Sequence, residues 1–256
     1  MKEAQSNRFK DATWFPKEEI NCLVGGQGGT GSYTSFLLAR ANFKPIIIDA
    51  DRIEEHNIGG QLFRVSSIGK PKVEEMADVI KDFVGEDIIA LNQWYTEEDM
   101  ACEYMFSCFD SMAARKVFFE NWLKYATEFK EEQENLARIN AESDLLDAIA
   151  NGKVLFKPKV EPILFDLRLG FANMEIYCVT LDRVEEYKKT LFNDDEVEDL
   201  PCTLKQTSHC AAMIASHAVA FFTNHIHNMY AGDKDFVVPF KWDYVIPINK
   251  VESVNI

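Results

Sequence analysis

The feature that most constrains this chain is Gly26-Gln27-Gly28-Gly29-Thr30-Gly31, a G-x-G-G-x-G turn between an apolar run, Ile20 to Gly25, and a run of helical length, Tyr33 to Ala41. A strand that ends in such a turn and re-enters as a helix lets the backbone approach a phosphate. It also aims the helix's unpaired N–H groups and positive dipole end at that phosphate. Gly26, Gly28, Gly29 and Gly31 are therefore the first candidate binding residues. Pro45-Ile46-Ile47-Ile48-Asp49 follows as a nearly continuous β-branched run, which predicts a parallel strand covered on both faces. Asp49 closes that strand, 18 residues past Gly31, where an acidic side chain accepts hydrogen bonds from ribose hydroxyls.

The alternation continues. Helical spacing of Val73, Met76, Ala77, Ile80 and Phe83 predicts a helix over Lys72 to Phe83, with strands at Ile88 to Asn92 and Met105 to Phe109 and a helix from Met112 to about Tyr125. Strands at Pro162 to Asp166 and Met174 to Thr180 follow, the second alternating as a half-exposed strand does, and Ser208 to Asn224 reads as a small-residue buried helix. The expected architecture is α/β, a Rossmann-like, doubly wound, mainly parallel sheet to which the C-terminal half adds further strands. Residues 124–151, rich in Glu, Lys, Ala and Asn, are expected to form a charged, solvent-facing helical insertion. No repeat or low-complexity linker divides the chain, so residues 1–256 are expected to be one domain.

A formal net charge of −15 argues against nucleic acid as a partner, because the chain would repel a phosphate backbone. No stretch approaches 18 consecutive apolar residues, and Met1 to Lys17 has no apolar core followed by a small-residue cleavage site. A cytoplasmic protein without a membrane partner is therefore expected. The six cysteines include no C-x-x-C pair, which disfavours a structural zinc site and fits reduced thiols.

What separates the nucleotide-binding classes is the string after Asp49. Asp49-Ala50-Asp51-Arg52-Ile53-Glu54-Glu55-His56-Asn57-Ile58-Gly59-Gly60-Gln61, followed by Gly69-Lys70-Pro71-Lys72, resembles the ThiF/MoeB family, the adenylating core of ubiquitin-activating-type enzymes. The pattern of that family runs D-x-D-x-(V/I)-x-x-x-N-L-x-R-Q and then G-x-x-K. The resemblance implies ATP and Mg²⁺ as cofactors. It places Asp49 on the ribose, has Asn57 and Lys72 bind the triphosphate, and puts Asp51 and Gln61 in the same pocket. Cys108-Phe109-Asp110-Ser111-Met112-Ala113-Ala114-Arg115 looks like the family's D-(N/S)-x-x-x-R, which makes Asp110 the Mg²⁺ ligand; a cap on the following helix is its other role. Pro201-Cys202-Thr203-Leu204-Lys205 resembles the surroundings of the family's transfer cysteine, shortened by one residue, so Cys202 becomes a catalytic candidate alongside Lys72. A thiolate is a suitable nucleophile towards an acyl-adenylate. Arg8 is similar in placement to an arginine that family members lend across a dimer interface. The implied partners are a small β-grasp protein or a peptide, ending in Gly-Gly, and a second copy in a homodimer.

The sequence departs from the family at Gly60, which stands where the pattern has arginine; Arg52 or Arg64 are the available substitutes. That departure keeps open a catalytically degenerate module that binds nucleotide or partner. The glycine turn with Asp49 alone also fits an NAD-dependent oxidoreductase, which leaves Asn57, Gln61, Lys72 and Asp110 without a role.

Overall fold

A computed structural model describes residues 9–16, 18–151, 160–170, 173–193, 207–232 and 234–256. Eight strands form one sheet in the order β3-β2-β1-β4-β5-β6-β7-β8. These are β1 (Asn21–Gly25), β2 (Lys44–Ile48), β3 (Ile89–Leu91), β4 (Tyr104–Ser107), β5 (Ile163–Leu169), β6 (Asn173–Val179), β7 (Lys241–Val245) and β8 (Lys250–Val254). The first five are parallel and the last three continue as an antiparallel meander from β5. Among the described residues the α-helices are α1 (Gly29–Arg40), α2 (Lys72–Val84), α3 (Met112–Asn151), α4 (Val184–Lys188) and α5 (Ser208–Ala231).

Consecutive residues of a strand point to opposite faces, and in the central strands both neighbours are apolar. Val24, Ile47, Phe106 and Phe165 face one layer, where they meet Leu38 of α1, Ile80 of α2 and Phe222 of α5. Leu23, Ile46, Met105 and Leu164 face the other, against Phe118 and Trp122 of α3 and Tyr187 of α4. This is the doubly wound, Rossmann-like sandwich that the sequence predicts. Phe106 and Phe165 stack across β4 and β5 with centroids 4.8 Å apart, and Phe222 meets both edge-on, which fixes α5 over the sheet centre.

Three local expectations change. The helix from Met112 does not stop near Tyr125; it runs unbroken to Asn151, so the charged segment 124–151 continues it. Its first turns carry the buried residues Phe118, Phe119, Trp122 and Ala126, and good helix formers extend it beyond them. β6 is covered on both faces over most of its length, not half-exposed, because Tyr187 and Phe240 close the side on which its alternation shows polar residues. The two C-terminal strands, β7 and β8, are absent from the sequence expectation.

Candidate functional site

β1 has β2 on one side and β4 on the other, so the chain's winding reverses between β1 and β4. Ligands of open α/β sheets bind at such a switch point, outside the carboxyl ends of the strands. The glycine turn follows β1, Asp49 to Asp51 follow β2, and Phe109-Asp110 follows β4, so three of the sequence motifs converge on one crevice.

The turn is built for close approach. Gly26 has φ +83°, where an L side chain is strained, and a Cβ there would lie 2.9 Å from the Cys108 carbonyl oxygen. A Cβ on Gly31 would lie 1.8 Å from the Gly26 carbonyl oxygen, which only glycine avoids. Around Gly28 the space is open, the nearest atom to an added Cβ being Gln61 Nε2 at 4.0 Å. Gln27, fully buried, pins the turn: its Nε2 donates to the Gly26 carbonyl at 3.1 Å, and its Oε1 accepts from Ser35 Oγ at 3.0 Å. Gly28 is the residue before α1 and no side chain caps that helix, so its N-terminal N–H groups are free for an anion.

Asp49 reaches across from β2. Its Oδ2 accepts the Gln27 N–H at 2.5 Å and its Oδ1 the Asp51 N–H at 2.7 Å, which fixes the carboxylate beside the turn. Burial pushes the Asp49 carboxyl above the usual carboxylate range, against the pull of Lys72 and of the two N–H donors.

The loop after Asp49 folds back on the approach to α2. Arg52 and Pro71 form an antiparallel bridge, Ile53 N–H donates to the Lys70 carbonyl at 2.9 Å, and Lys72 N–H donates to the Asp51 carbonyl at 2.9 Å. That clamp brings Lys72 Nζ to 2.7 Å from Asp51 Oδ2. The lysine side chain is 8% exposed and the aspartate 48%, so the pair stands at the crevice wall with its acidic half in solvent. Asn57 and Gln61 lie between. Asn57 Oδ1 accepts the Glu54 N–H at 2.8 Å in a capping box, and Leu62 N–H donates to Ser32 Oγ at 3.1 Å, tying the loop to α1. Gln61 Oε1 is buried with no hydrogen-bond partner, although a buried amide oxygen ordinarily has one.

At the end of β4, Asp110 is exposed, and Ser111 takes the capping role: its Oγ accepts the Ala114 N–H of α3 at 3.2 Å. Arg115 donates to the Phe109 carbonyl and to the wholly buried Asp166, which also accepts from Arg168 Nε at 2.7 Å and Tyr187 Oη at 3.0 Å. Burial alone would raise the Asp166 carboxyl; the two guanidiniums and the phenol outweigh it and hold it below the ordinary range. Arg115 is the arginine that closes the D-(N/S)-x-x-x-R pattern, but the motif reading gives it no role and does not connect it to Asp166, Arg168 or Tyr187. The cluster's sequence signal is Asp166-Leu167-Arg168, two charges in an apolar strand.

Neither substitute for the arginine missing at Gly60 points into the crevice. Arg52 donates to the Gly69 carbonyl at 2.8 Å, and Arg64 pairs with the buried Glu75 at 3.3 Å and with Asp82. Arg8 and Cys202 lie outside the described residues. Cys22, Cys102, Cys108, Cys178 and Cys210 are buried thiols; desolvation before any other cause pushes Cys102 up to about 11 and Cys108 to about 12, so those two are poor nucleophiles. The large cavity bounded by Glu161, Thr180, Arg183 and His225 opens at the opposite end of the sheet and is lined by none of the motif residues.

These residues suit a nucleotide: an uncapped helix N-terminus and a glycine cradle for phosphate, Lys72 for its charge, Asp49 for ribose, and Gln61 with an oxygen still to be satisfied. Among the described residues no group of three or more His, Cys, Asp or Glu side chains forms a metal site. Mg²⁺ does not need one, since it is ordinarily held by one or two carboxylates together with substrate phosphates. Asp110 and Asp51 are the carboxylates available for that.

A sequence comparison decides among nucleotide-binding classes: the ThiF family matches residues 17–130. This region is ThiF-family. It contains the glycine turn, the Asp49–Gln61 string, Lys72 and Asp110, and it ends inside α3. Over 76 residues, 28% of this chain and 17% of the relative, the chain is 38% identical to the NEDD8-activating enzyme E1 catalytic subunit of Arabidopsis thaliana. Among solved structures, E. coli MccB with AMPCPP and MccA superposes with a TM-score of 0.63 at 13% identity, over 98% of this chain and 66% of MccB. PaaA gives 0.60 at 14% identity, with the same coverage. The E. coli tRNA N6-threonylcarbamoyladenosine dehydratase TcdA gives 0.58 at 13% identity, over 90% of this chain and 95% of that one. These structural likenesses establish a shared fold that extends past the ThiF-family region to the antiparallel strands. The chain spans just under two thirds of the length of PaaA and MccB.

Proposed function

We propose that this protein uses MgATP to adenylate a carboxylate, the C-terminus of a peptide or of a small ubiquitin-like protein, for which the family implies a Gly-Gly ending. The observation that carries this reading is the convergence at one switch point of the glycine cradle, Asp49, Lys72, Asp110 and the unpartnered Gln61 Oε1. The relatives support it: MccB was solved with ATP and with MccA, and the Arabidopsis protein activates NEDD8.

When bound, MgATP supplies an electrophilic α-phosphorus and a pyrophosphate leaving group. The chain's own part is to position and to neutralise. The N–H groups of the turn and of the first turn of α1 would hold phosphate oxygens, and the Asp49 carboxylate, already fixed by two N–H donors, has lone pairs left for ribose hydroxyls. Lys72 Nζ would share its contact with Asp51 between that carboxylate and the triphosphate, bringing a positive charge to the developing pyrophosphate. Asp110 and Asp51 would hold Mg²⁺. Attack of the substrate carboxylate on the α-phosphorus breaks the bond to pyrophosphate and yields the acyl-adenylate. A homodimer in which Arg8 reaches the partner's nucleotide would supply the arginine that Gly60 lacks.

Isotope exchange between pyrophosphate and ATP tests the reaction, run with peptides and small proteins ending in Gly-Gly and with their C-terminal amides. Exchange should require Mg²⁺ and a free carboxylate; exchange that persists with the amides contradicts the proposal. Arg8→Ala is expected to slow exchange about tenfold or more, and an unchanged rate removes Arg8 from the site. Cys202→Ser separates the two chemical steps. Exchange should be retained while any thiol-labile adduct with the substrate disappears, and an adduct that survives in the variant would clear Cys202 of the acceptor role.

One observation favours a second reading, a nucleotide- or partner-binding module without catalysis. Gly60 replaces the family's arginine while Arg52 and Arg64 are both committed elsewhere. In that case MgATP binds and no carboxylate supports exchange.

A further inference from the structure

We propose that Arg115, held by Asp166, is a positioning residue that fixes the Asp110 turn for its metal. This inference rests on the assignment of Asp110 as a Mg²⁺ ligand and adds how that carboxylate is kept in place.

The last backbone hydrogen bond between β4's end and the sheet is from Cys108 N–H to the Gly25 carbonyl, at 2.8 Å. Beyond it Phe109 and Asp110 leave the sheet, and α3 begins only at Met112. The two residues thus form a short bridge whose direction must be set by side chains. Tyr95, whose ring centroid lies 6.2 Å from that of Phe109, is one neighbour, and two closer contacts bear on the turn. The Phe109 ring lies under Gly25, so close that a Cβ on that glycine would come within 2.4 Å of it, and packs edge-on against Phe118 at 5.3 Å. The Phe109 carbonyl, the peptide oxygen immediately before Asp110, accepts from the Arg115 guanidinium.

Arg115 is itself oriented from behind. Its other terminal nitrogen is on Asp166 Oδ1, and the carboxylate's second oxygen is taken by Arg168 and Tyr187. Arg115 is 6% exposed and Asp166 wholly buried, so the fork has no room to turn. Arg168 in turn stacks over the Tyr177 ring at 4.5 Å and donates to the Thr190 carbonyl and hydroxyl at 2.9 and 3.0 Å. One buried carboxylate therefore ties the Asp110 turn to β5 and to the segment after α4.

Burying charges in this way can cost as much as their attraction returns, so stability alone is a weak reason for such a cluster. Its outward end is a single peptide carbonyl next to an exposed aspartate, which is where a fixed direction matters. A planar guanidinium can hold a carboxylate and a carbonyl at once; a lysine ammonium presents one nitrogen and cannot span both in the same geometry.

The test compares binding of MgATP with binding of ATP in EDTA, by calorimetry, in wild type, Asp110→Ala and Arg115→Lys, with amide hydrogen exchange of the peptide covering Ser107 to Arg115 in the ligand-free proteins. Wild type is expected to prefer MgATP by tenfold or more, and Asp110→Ala to lose the preference. Arg115→Lys keeps the buried charge. It should lower the preference at least fivefold, leave metal-free ATP binding within twofold, and speed exchange at Asp110 and Ser111 about tenfold with β1 unchanged. A folded Arg115→Lys with wild-type preference and wild-type exchange overturns the proposal. If Arg115→Lys does not fold, Tyr187→Phe decides: it removes one donor from Asp166 without unpairing a charge and should lower the preference two- to threefold, while no change overturns the inference. A wild-type preference that survives in Asp110→Ala refutes the metal role of Asp110 in an arm that does not touch the cluster, and overturns the inference with it.

Discussion

Asp110→Ala is expected to lower pyrophosphate exchange by at least about 100-fold, a loss of about 2.7 kcal/mol of transition-state stabilisation, while leaving the protein folded. The two halves of that expectation have separate causes. Asp110 is exposed at the carboxyl end of β4, and the cap on α3 comes from Ser111 Oγ, so the substitution removes no packing and no helix cap; an effect within about 0.5 kcal/mol on stability is the rule for such positions. The charge it removes, by contrast, is on the proposed function one of the two carboxylates that would hold Mg²⁺ against a triphosphate, and Asp51 is already paired with Lys72. A thermal melt within a few degrees of wild type together with lost exchange is the predicted pair of results. A variant that retains a tenth or more of the wild-type rate would show that the metal is held elsewhere.

The second large effect is on the cradle, where two neighbouring glycines should fail in different ways. Gly31→Ala drives a Cβ to 1.8 Å from the Gly26 carbonyl oxygen, a backbone atom that cannot swing aside, so the strand–turn–helix junction must shift. The expected cost is roughly 3 kcal/mol, a fall of about 10 °C in melting temperature for a chain of this size, with nucleotide binding lost. Gly28→Ala meets nothing closer than Gln61 Nε2 at 4.0 Å, so the melt should barely move. Nucleotide affinity should nevertheless fall tenfold or more, because the added methyl occupies the path of approach to the α1 N-terminus. Differential scanning calorimetry beside nucleotide titration of both variants checks this. A Gly31→Ala protein as stable as wild type would mean that the turn is not packed as described.

Much of this was readable from the chain because the site is local. The glycine turn, Asp49, the Asn57–Gln61 string and Lys72 lie within about fifty residues, and a βαβ unit forces the ends of β1 and β2 together; the unbroken Ile46-Ile47-Ile48 run is enough to show that β2 is covered on both faces. What was not readable depends on direction or on distance in the chain. Arg52 and Arg64 are near enough in sequence to be candidates for the missing arginine, yet the Gly69 carbonyl holds the first and the buried Glu75 the second, and neither attraction has a sequence signature. Arg115, Asp166, Arg168 and Tyr187 come from three separate stretches and meet only because β5 pairs with β4 and α4 packs on the same face. β7 did carry a signal, since Lys241-Trp242-Asp243-Tyr244 alternates, but it is short; β8, Lys250-Val251-Glu252-Ser253-Val254, breaks the alternation at Ser253 and is exposed throughout. The length of α3 was hidden for another reason: beyond Ala126 its apolar residues thin out, and periodicity reports burial better than it reports helix.

The central claim, that the crevice at the β1–β4 switch point is an ATP site of the adenylating kind, is most directly tested by calorimetric titration of the wild-type protein with MgATP and with NAD⁺, repeated on Asp49→Ala and Lys72→Ala. It requires no knowledge of the carboxylate substrate. The account predicts micromolar binding of MgATP, a loss of tenfold or more in each variant, and no heat with NAD⁺. Binding of NAD⁺ in preference to MgATP, or MgATP binding that both variants retain, would contradict it.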